Sequence, residues 1–92
     1  GLPKSLLEAA SCGLPIVAFD VPGCREIVKD KFNGFLVPFK DTDAIYSALL
    51  RLIEDKNLSN LMGKNGRKLV LREFSQDIIG KQTLAVWNES NL

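Results

Sequence analysis

The run Pro15-Ile16-Val17-Ala18-Phe19 constrains this chain more than any other feature. It is apolar without alternation and is bounded by Gly13 on one side and by Asp20-Val21-Pro22-Gly23 on the other, which reads as a strand buried on both faces. Just before it, Leu6, Leu7 and Ala10 recur at helical spacing after Pro3, and Gly13 supplies a left-handed stop, predicting a helix over 3–12. A helix delivered straight into a buried strand is half of a parallel crossover unit. A second apolar run, Phe35-Leu36-Val37, follows the tight-turn pair Asn33-Gly34 and is closed by Pro38. Two short parallel strands do not make an independent sheet, because such strands need neighbours and cover on both faces. The fold class is therefore α/β, with short parallel strands and several helices. It reads as the second half of a doubly wound domain whose earlier strands lie upstream of Gly1.

The remaining residues supply that cover. Val21-Pro22-Gly23 reads as a turn, with a short helix over 24–28. Asp41 or Thr42 caps a long amphipathic helix whose inner stripe is Ala44, Ile45, Ala48, Leu49, Leu52 and Ile53, ended by Asp55-Lys56-Asn57. A helix over 58–73 turns Leu61, Met62, Leu69 and Val70 inward, and Ser75 caps a last one carrying Ile78, Ile79, Leu84, Val86 and Trp87. With no repeat or linker, residues 1–92 read as a single unit, and one that opens in mid-structure.

Charge and residue usage exclude several classes. Twelve Lys plus Arg against eleven Asp plus Glu leave a net charge of +1, too little for a nucleic-acid partner held by phosphate neutralisation. There is no His, which removes imidazole bases and every metal site that depends on them. Cys12 and Cys24 are too few for a disulfide framework and read as small semi-buried residues in a reducing compartment. No apolar stretch approaches the roughly 20 residues of a membrane span, and no secretory leader opens the chain.

The segment from Gly1 to Glu8 carries the functional signal. A glycine-containing loop at a helix start leaves backbone N–H groups without helical partners at the positive end of the macrodipole, a setting suited to a diphosphate. Glu8, about one and a half turns in, is acceptor-only and able to take both hydroxyl hydrogens of a ribose. On the residues alone, an ordinary helix start with Glu8 solvated or paired with Lys4 is the simpler reading.

The run Gly1-Leu2-Pro3-Lys4-Ser5-Leu6-Leu7-Glu8-Ala9-Ala10, with Cys12-Gly13 and Pro15-Ile16-Val17-Ala18, resembles the donor-binding segment of the retaining glycosyltransferases of family four. The likeness continues through Asp20-Val21-Pro22-Gly23-Cys24-Arg25-Glu26-Ile27-Val28 and Asn33-Gly34-Phe35-Leu36-Val37-Pro38, so that about the first forty residues carry it. It implies the C-terminal part of a Rossmann-like nucleotide-sugar-binding domain of the two-domain GT-B fold, in an enzyme with a separate N-terminal acceptor domain. The implied activity is transfer of a hexosyl or N-acetylhexosaminyl group, with retention, from a UDP- or GDP-sugar to a hydroxyl acceptor.

By that resemblance Glu8 holds the nucleotide ribose, while the loop around Gly1, Leu2, Lys4 and Ser5 holds the diphosphate and donor sugar. A paired glutamate for the sugar hydroxyls would fall one place before Gly1. Pro3 departs from relatives with glycine there, since it has no N–H to donate. Gly23 and Glu26 match a glycine-containing turn and its following glutamate, which fits either ligand contact or helix capping. The family's chemistry needs no metal or other cofactor, and no catalytic residue is assigned here; the upstream basic residues that pair with the diphosphate and the acceptor-binding domain are not among these 92 residues, which alone are expected to be inactive. The implied setting is cell-surface polysaccharide or glycolipid assembly in the cytoplasm, on acceptor glycans or lipid-linked sugars, with at most peripheral membrane association. A GT-B sugar-nucleotide epimerase and a non-catalytic α/β binding module are the alternative readings.

Other signals have plainer explanations. Asp41-Thr42-Asp43 has a metal-binding spacing but sits where a helix cap belongs. Asn57-Leu58-Ser59 and Asn88-Glu89-Ser90 fit the glycosylation pattern, which is short enough to recur by chance. Lys64, Arg67, Lys68 and Arg72 form a basic helix face, read as solvated rather than lipid-bound.

Overall fold

The computed structural model describes residues 3–75. Its elements are α1 (Lys4–Ser11), β1 (Ile16–Phe19), α2 (Pro22–Ile27), β2 (Gly34–Val37), α3 (Thr42–Glu54) and α4 (Lys56–Glu73). The strands pair in parallel with Ile16 opposite Gly34 and Phe19 opposite Val37. Gly34 is required by space here: a side-chain carbon on it would lie 1.8 Å from the Ile16 carbonyl oxygen. The helix expected over 58–73 begins at Lys56, because Asp55 alone forms the joint, ending α3 and accepting from the Leu58 N–H at 3.0 Å.

Both faces of the strands are covered, as their unbroken apolar runs require. Ile16 and Ala18 join Leu7, Ala10, Ile27, Val28 and Val70 in one core between the sheet and helices α1, α2 and α4. On the opposite face Val17 and Ala48 pack against Phe35, Leu52 and Met62. Ile27 and Val28 are fully buried, and each contributes roughly 1.5–3 kcal/mol by leaving water. Asn33, read as a turn residue, is also fully buried. Its amide donates to the Ile27 carbonyl at 2.8 Å and its oxygen accepts from the Lys29 N–H at 2.6 Å, so a polar side chain is satisfied inside the core.

Several expectations change. Pro22 and Gly23 are not a turn but the first residues of α2, since a proline with no N–H to lose suits a helix start. Pro3 is the residue that caps α1 rather than part of its first turn. On α3 only Leu52 of the expected stripe is buried, while Leu49 and Ile53 face outward, and on α4 Leu61 does the same. The two-stranded sheet is narrow, and a long helix reaches past its covering area. Cys12 is exposed rather than semi-buried. The last expected helix, with Ile78, Ile79, Leu84, Val86 and Trp87, lies outside the described residues.

Candidate functional site

The site is set by chain direction. Helix α1 turns at Gly13, where φ is +78°, and feeds β1, so the start of α1 returns toward the carboxyl end of that strand. The same edge holds the start of α2, which follows β1 directly. The two helix starts abut: a side-chain carbon placed on Gly23 would meet Pro3 Cδ at 3.6 Å. Ligands of open α/β sheets collect beyond these carboxyl ends.

At that edge the start of α1 is open. The first backbone bond runs from the Leu7 N–H to the Pro3 carbonyl at 3.1 Å, leaving the N–H groups of Lys4, Ser5 and Leu6 without a helical carbonyl to reach. Pro3 supplies no side-chain cap, and the first turn carries no acidic residue. Helix α2 likewise starts without a side-chain cap at Val21. Lys4, Ser5 and Glu8 are all exposed and, at spacings of three and four, share one face of α1. A cationic side chain, a hydroxyl, three amides and a carboxylate acceptor are thus offered on one side of one helix end. Gly1 and Leu2 lie outside the described residues.

Gly23 and Glu26 part company. Gly23 is half-buried beside Pro3, whereas Glu26 is exposed in the last turn of α2. Neither caps the helix, because Val21 occupies that position. Sequence reasoning missed the neighbouring ion pair, in which Arg25 Nε donates to Asp20 Oδ1 at 2.5 Å and ties the end of β1 to α2. Its five-residue spacing crosses an element boundary, where no periodic pattern marks it.

The features set aside stay outside the site. Asp41 Oδ1 accepts from the Ala44 N–H at 3.0 Å as the cap of α3, and among the described residues no three of Cys, Asp and Glu gather as a metal-binding group. No helix of the described residues is long and apolar enough to cross a membrane. An open groove of about 520 Å³ lined by Pro15, Leu49, Ile53 and Lys56 lies at the amino end of β1, on the edge opposite the helix starts. Its lining holds no carboxylate, and the start of α4 that borders it is already capped by Asp55.

Comparison with known proteins bears on this geometry. The Escherichia coli UDP-Gal:alpha-D-GlcNAc-diphosphoundecaprenol alpha-1,3-galactosyltransferase is 40% identical over 75 residues, covering 82% of this chain and 19% of the relative. Sucrose-phosphate synthase from Thermosynechococcus elongatus superposes with a TM-score of 0.79 at 31% identity, over 96% of this chain and 22% of that one. Anabaena HepE, solved in complex with UDP, superposes with a TM-score of 0.72 at 25% identity, over 96% of this chain and 24% of that one. The chain therefore spans about a fifth to a quarter of the proteins it matches. The structural neighbours are GT-B glycosyltransferases, in agreement with the α/β class and short parallel strands. Residues 1–69 match the model of the glycosyl transferases group 1, and it is to this family that the chain belongs.

Proposed function

We propose that this chain is the donor-nucleotide-binding part of a longer retaining glycosyltransferase of family four. It serves transfer of a hexosyl or N-acetylhexosaminyl group from a UDP- or GDP-sugar to a hydroxyl acceptor in polysaccharide or glycolipid assembly. The observation that carries the reading is the open start of α1, set against the start of α2, with Glu8 on the same exposed face as Lys4 and Ser5. The UDP held by HepE and the UDP-galactose in the name of the Escherichia coli relative support it.

In this reading the amides of Lys4, Ser5 and Leu6 face the diphosphate, with Gly1 and Leu2 completing the cradle and Gly23 beside it. Glu8 accepts from the ribose hydroxyls. As the bond between the sugar's anomeric carbon and the diphosphate oxygen breaks, negative charge grows on the departing nucleotide, and fixed amides at a helix start stabilise it without reorganising. The acceptor oxygen forms the new bond, and its proton leaves with the nucleoside diphosphate. No metal or other cofactor has a role in this scheme. An N-terminal acceptor domain and a glutamate preceding Gly1 complete the site, in a protein working in the cytoplasm and meeting the membrane at most peripherally.

Calorimetric titration of UDP and GDP into the full-length protein tests this. Glu8→Ala should weaken binding of the preferred nucleotide by about 1–3 kcal/mol, the scale of a lost charged hydrogen bond. Failure of the unmodified protein to bind either nucleotide, or equal affinity in the variant, would remove the site from α1.

A further inference from the structure

The outer face of α4 carries apolar side chains among cations, and the donor site uses neither. Leu61, expected inward, is 56% exposed, and Lys64, Lys68 and Arg72 follow it at helical spacing on the same exposed face. Phe32, 43% exposed, stands beside that face on the turn that leads into β2. Both of its backbone groups are tied: the N–H donates to the Lys29 carbonyl at 2.9 Å, and the carbonyl accepts from Asn65 Nδ2, one turn beyond Leu61, at 2.9 Å. Lys31, its chain neighbour, is exposed. Few carboxylates offset these cations. No Asp or Glu lies between Lys56 and Arg72, and Glu73, 3.9 Å from Arg72, weakens only the far end of the face. Asp30 Oδ1 accepts from the Leu36 N–H at 2.9 Å, and Arg67 reaches the other way, to the Ser11 carbonyl.

We infer that Phe32 and Leu61, set among Lys31, Lys64, Lys68 and Arg72, dock the protein on the anionic headgroups of a lipid bilayer. This gives a surface to the peripheral membrane contact in the function proposed above, and rests on that reading. At a bilayer interface apolar side chains sink below the headgroups while cations stay level with the phosphates, and the long stems of Lys and Arg span the two levels. A helix lying in the plane of the interface presents both from one face. A phosphate polymer such as RNA would use the cations and leave Leu61 without a partner. The exposed stripe of α3, with Tyr46, Leu49, Leu50 and Ile53, lacks the cations: Arg51 is the one basic residue of that helix, and it lies over the Phe35 ring at 5.4 Å.

Co-sedimentation of the full-length protein with vesicles tests the docking face. One set is phosphatidylcholine alone, the other phosphatidylcholine and phosphatidylglycerol in equal parts. The protein should pellet with the second and not with the first, and the bound fraction should fall as added salt shortens the Debye length. Lys64→Gln combined with Lys68→Gln should weaken binding about tenfold, and Leu61→Ser about fivefold. Lys64→Arg combined with Lys68→Arg should retain it, and Ile53→Ser should leave it unchanged. Absence of binding to the anionic vesicles, equal binding to both sets, or undiminished binding by the Gln pair overturns the proposal. So does a loss in the Arg pair equal to that in the Gln pair, which would show that charge is not what the surface reads. Affinity for UDP and GDP, titrated on the same samples without vesicles, should not change in these variants. Its absence from the unmodified protein would count against the donor site alone.

Discussion

The two ends of α1 differ in how their backbone groups are used. At the start, three N–H groups have no helical carbonyl and Pro3 offers no side-chain acceptor. At the other end nearly everything is tied. The Cys12 N–H donates to Glu8 and Ala9, Gly13 to Ala10 and Leu14 to Ala9, at 3.0–3.2 Å. Ser11 Oγ donates to the Glu8 carbonyl at 2.8 Å, and Arg67 reaches across from α4 to the Ser11 carbonyl. A side-chain carbon on Gly63 would lie 2.0 Å from the Gly13 oxygen, so α4 passes against this end at backbone contact. One helix is thus fastened at the end that packs against α4, while its start carries no side-chain cap.

The contrast can be attacked from its closed end first. Gly63→Ala forces the Gly13 turn and α4 apart. Urea denaturation of the full-length protein should show a loss of about 3 kcal/mol, at the upper end of overpacking effects; a loss below about 0.5 kcal/mol would show that the contact yields freely. Arg67→Ala removes a cation bonded to the carbonyl end of α1. A smaller loss of about 1 kcal/mol is expected, with nucleotide affinity unchanged, and an equal fall in affinity would mean that the two ends are not separate in role. Ser5→Asp acts on the open end and should separate stability from function. A carboxylate in the first turn should raise stability by about 0.3–1 kcal/mol through the helix dipole, while repulsion of the diphosphate lowers nucleotide affinity by about tenfold. Stability and affinity rising together would deny that the start of α1 binds an anion.

The open end was the legible one. Its signals are local: Pro3 before an apolar repeat, Gly13 as a stop and a resemblance concentrated in the first forty residues. Asp41 was equally readable as a cap, because a cap and its helix adjoin. The closed end was not legible, because its partners are far apart in the chain. Gly63 and Gly66 let the Gly13 carbonyl and the buried Asn33 approach the helix, a role that only the fold shows. A pair of glycines three apart within a long helix was the one available sign. Arg67 was placed with Lys64, Lys68 and Arg72 on a solvated face, and only the fold shows its bond to Ser11. Leu49, Ile53 and Leu61 were misplaced because periodicity finds an apolar stripe without revealing how much surface exists to cover it.

Under the proposed donor-binding reading, the backbone contact between Gly13 and Gly63 also bears on how fast and how tightly a ligand would be held. A helix clamped this closely cannot slide along its neighbour or fray from that end, so its free amides keep their aim before any ligand arrives. Association then requires little ordering of the protein, and differences in affinity among nucleotides should be seated in how long each stays rather than in how often each lands.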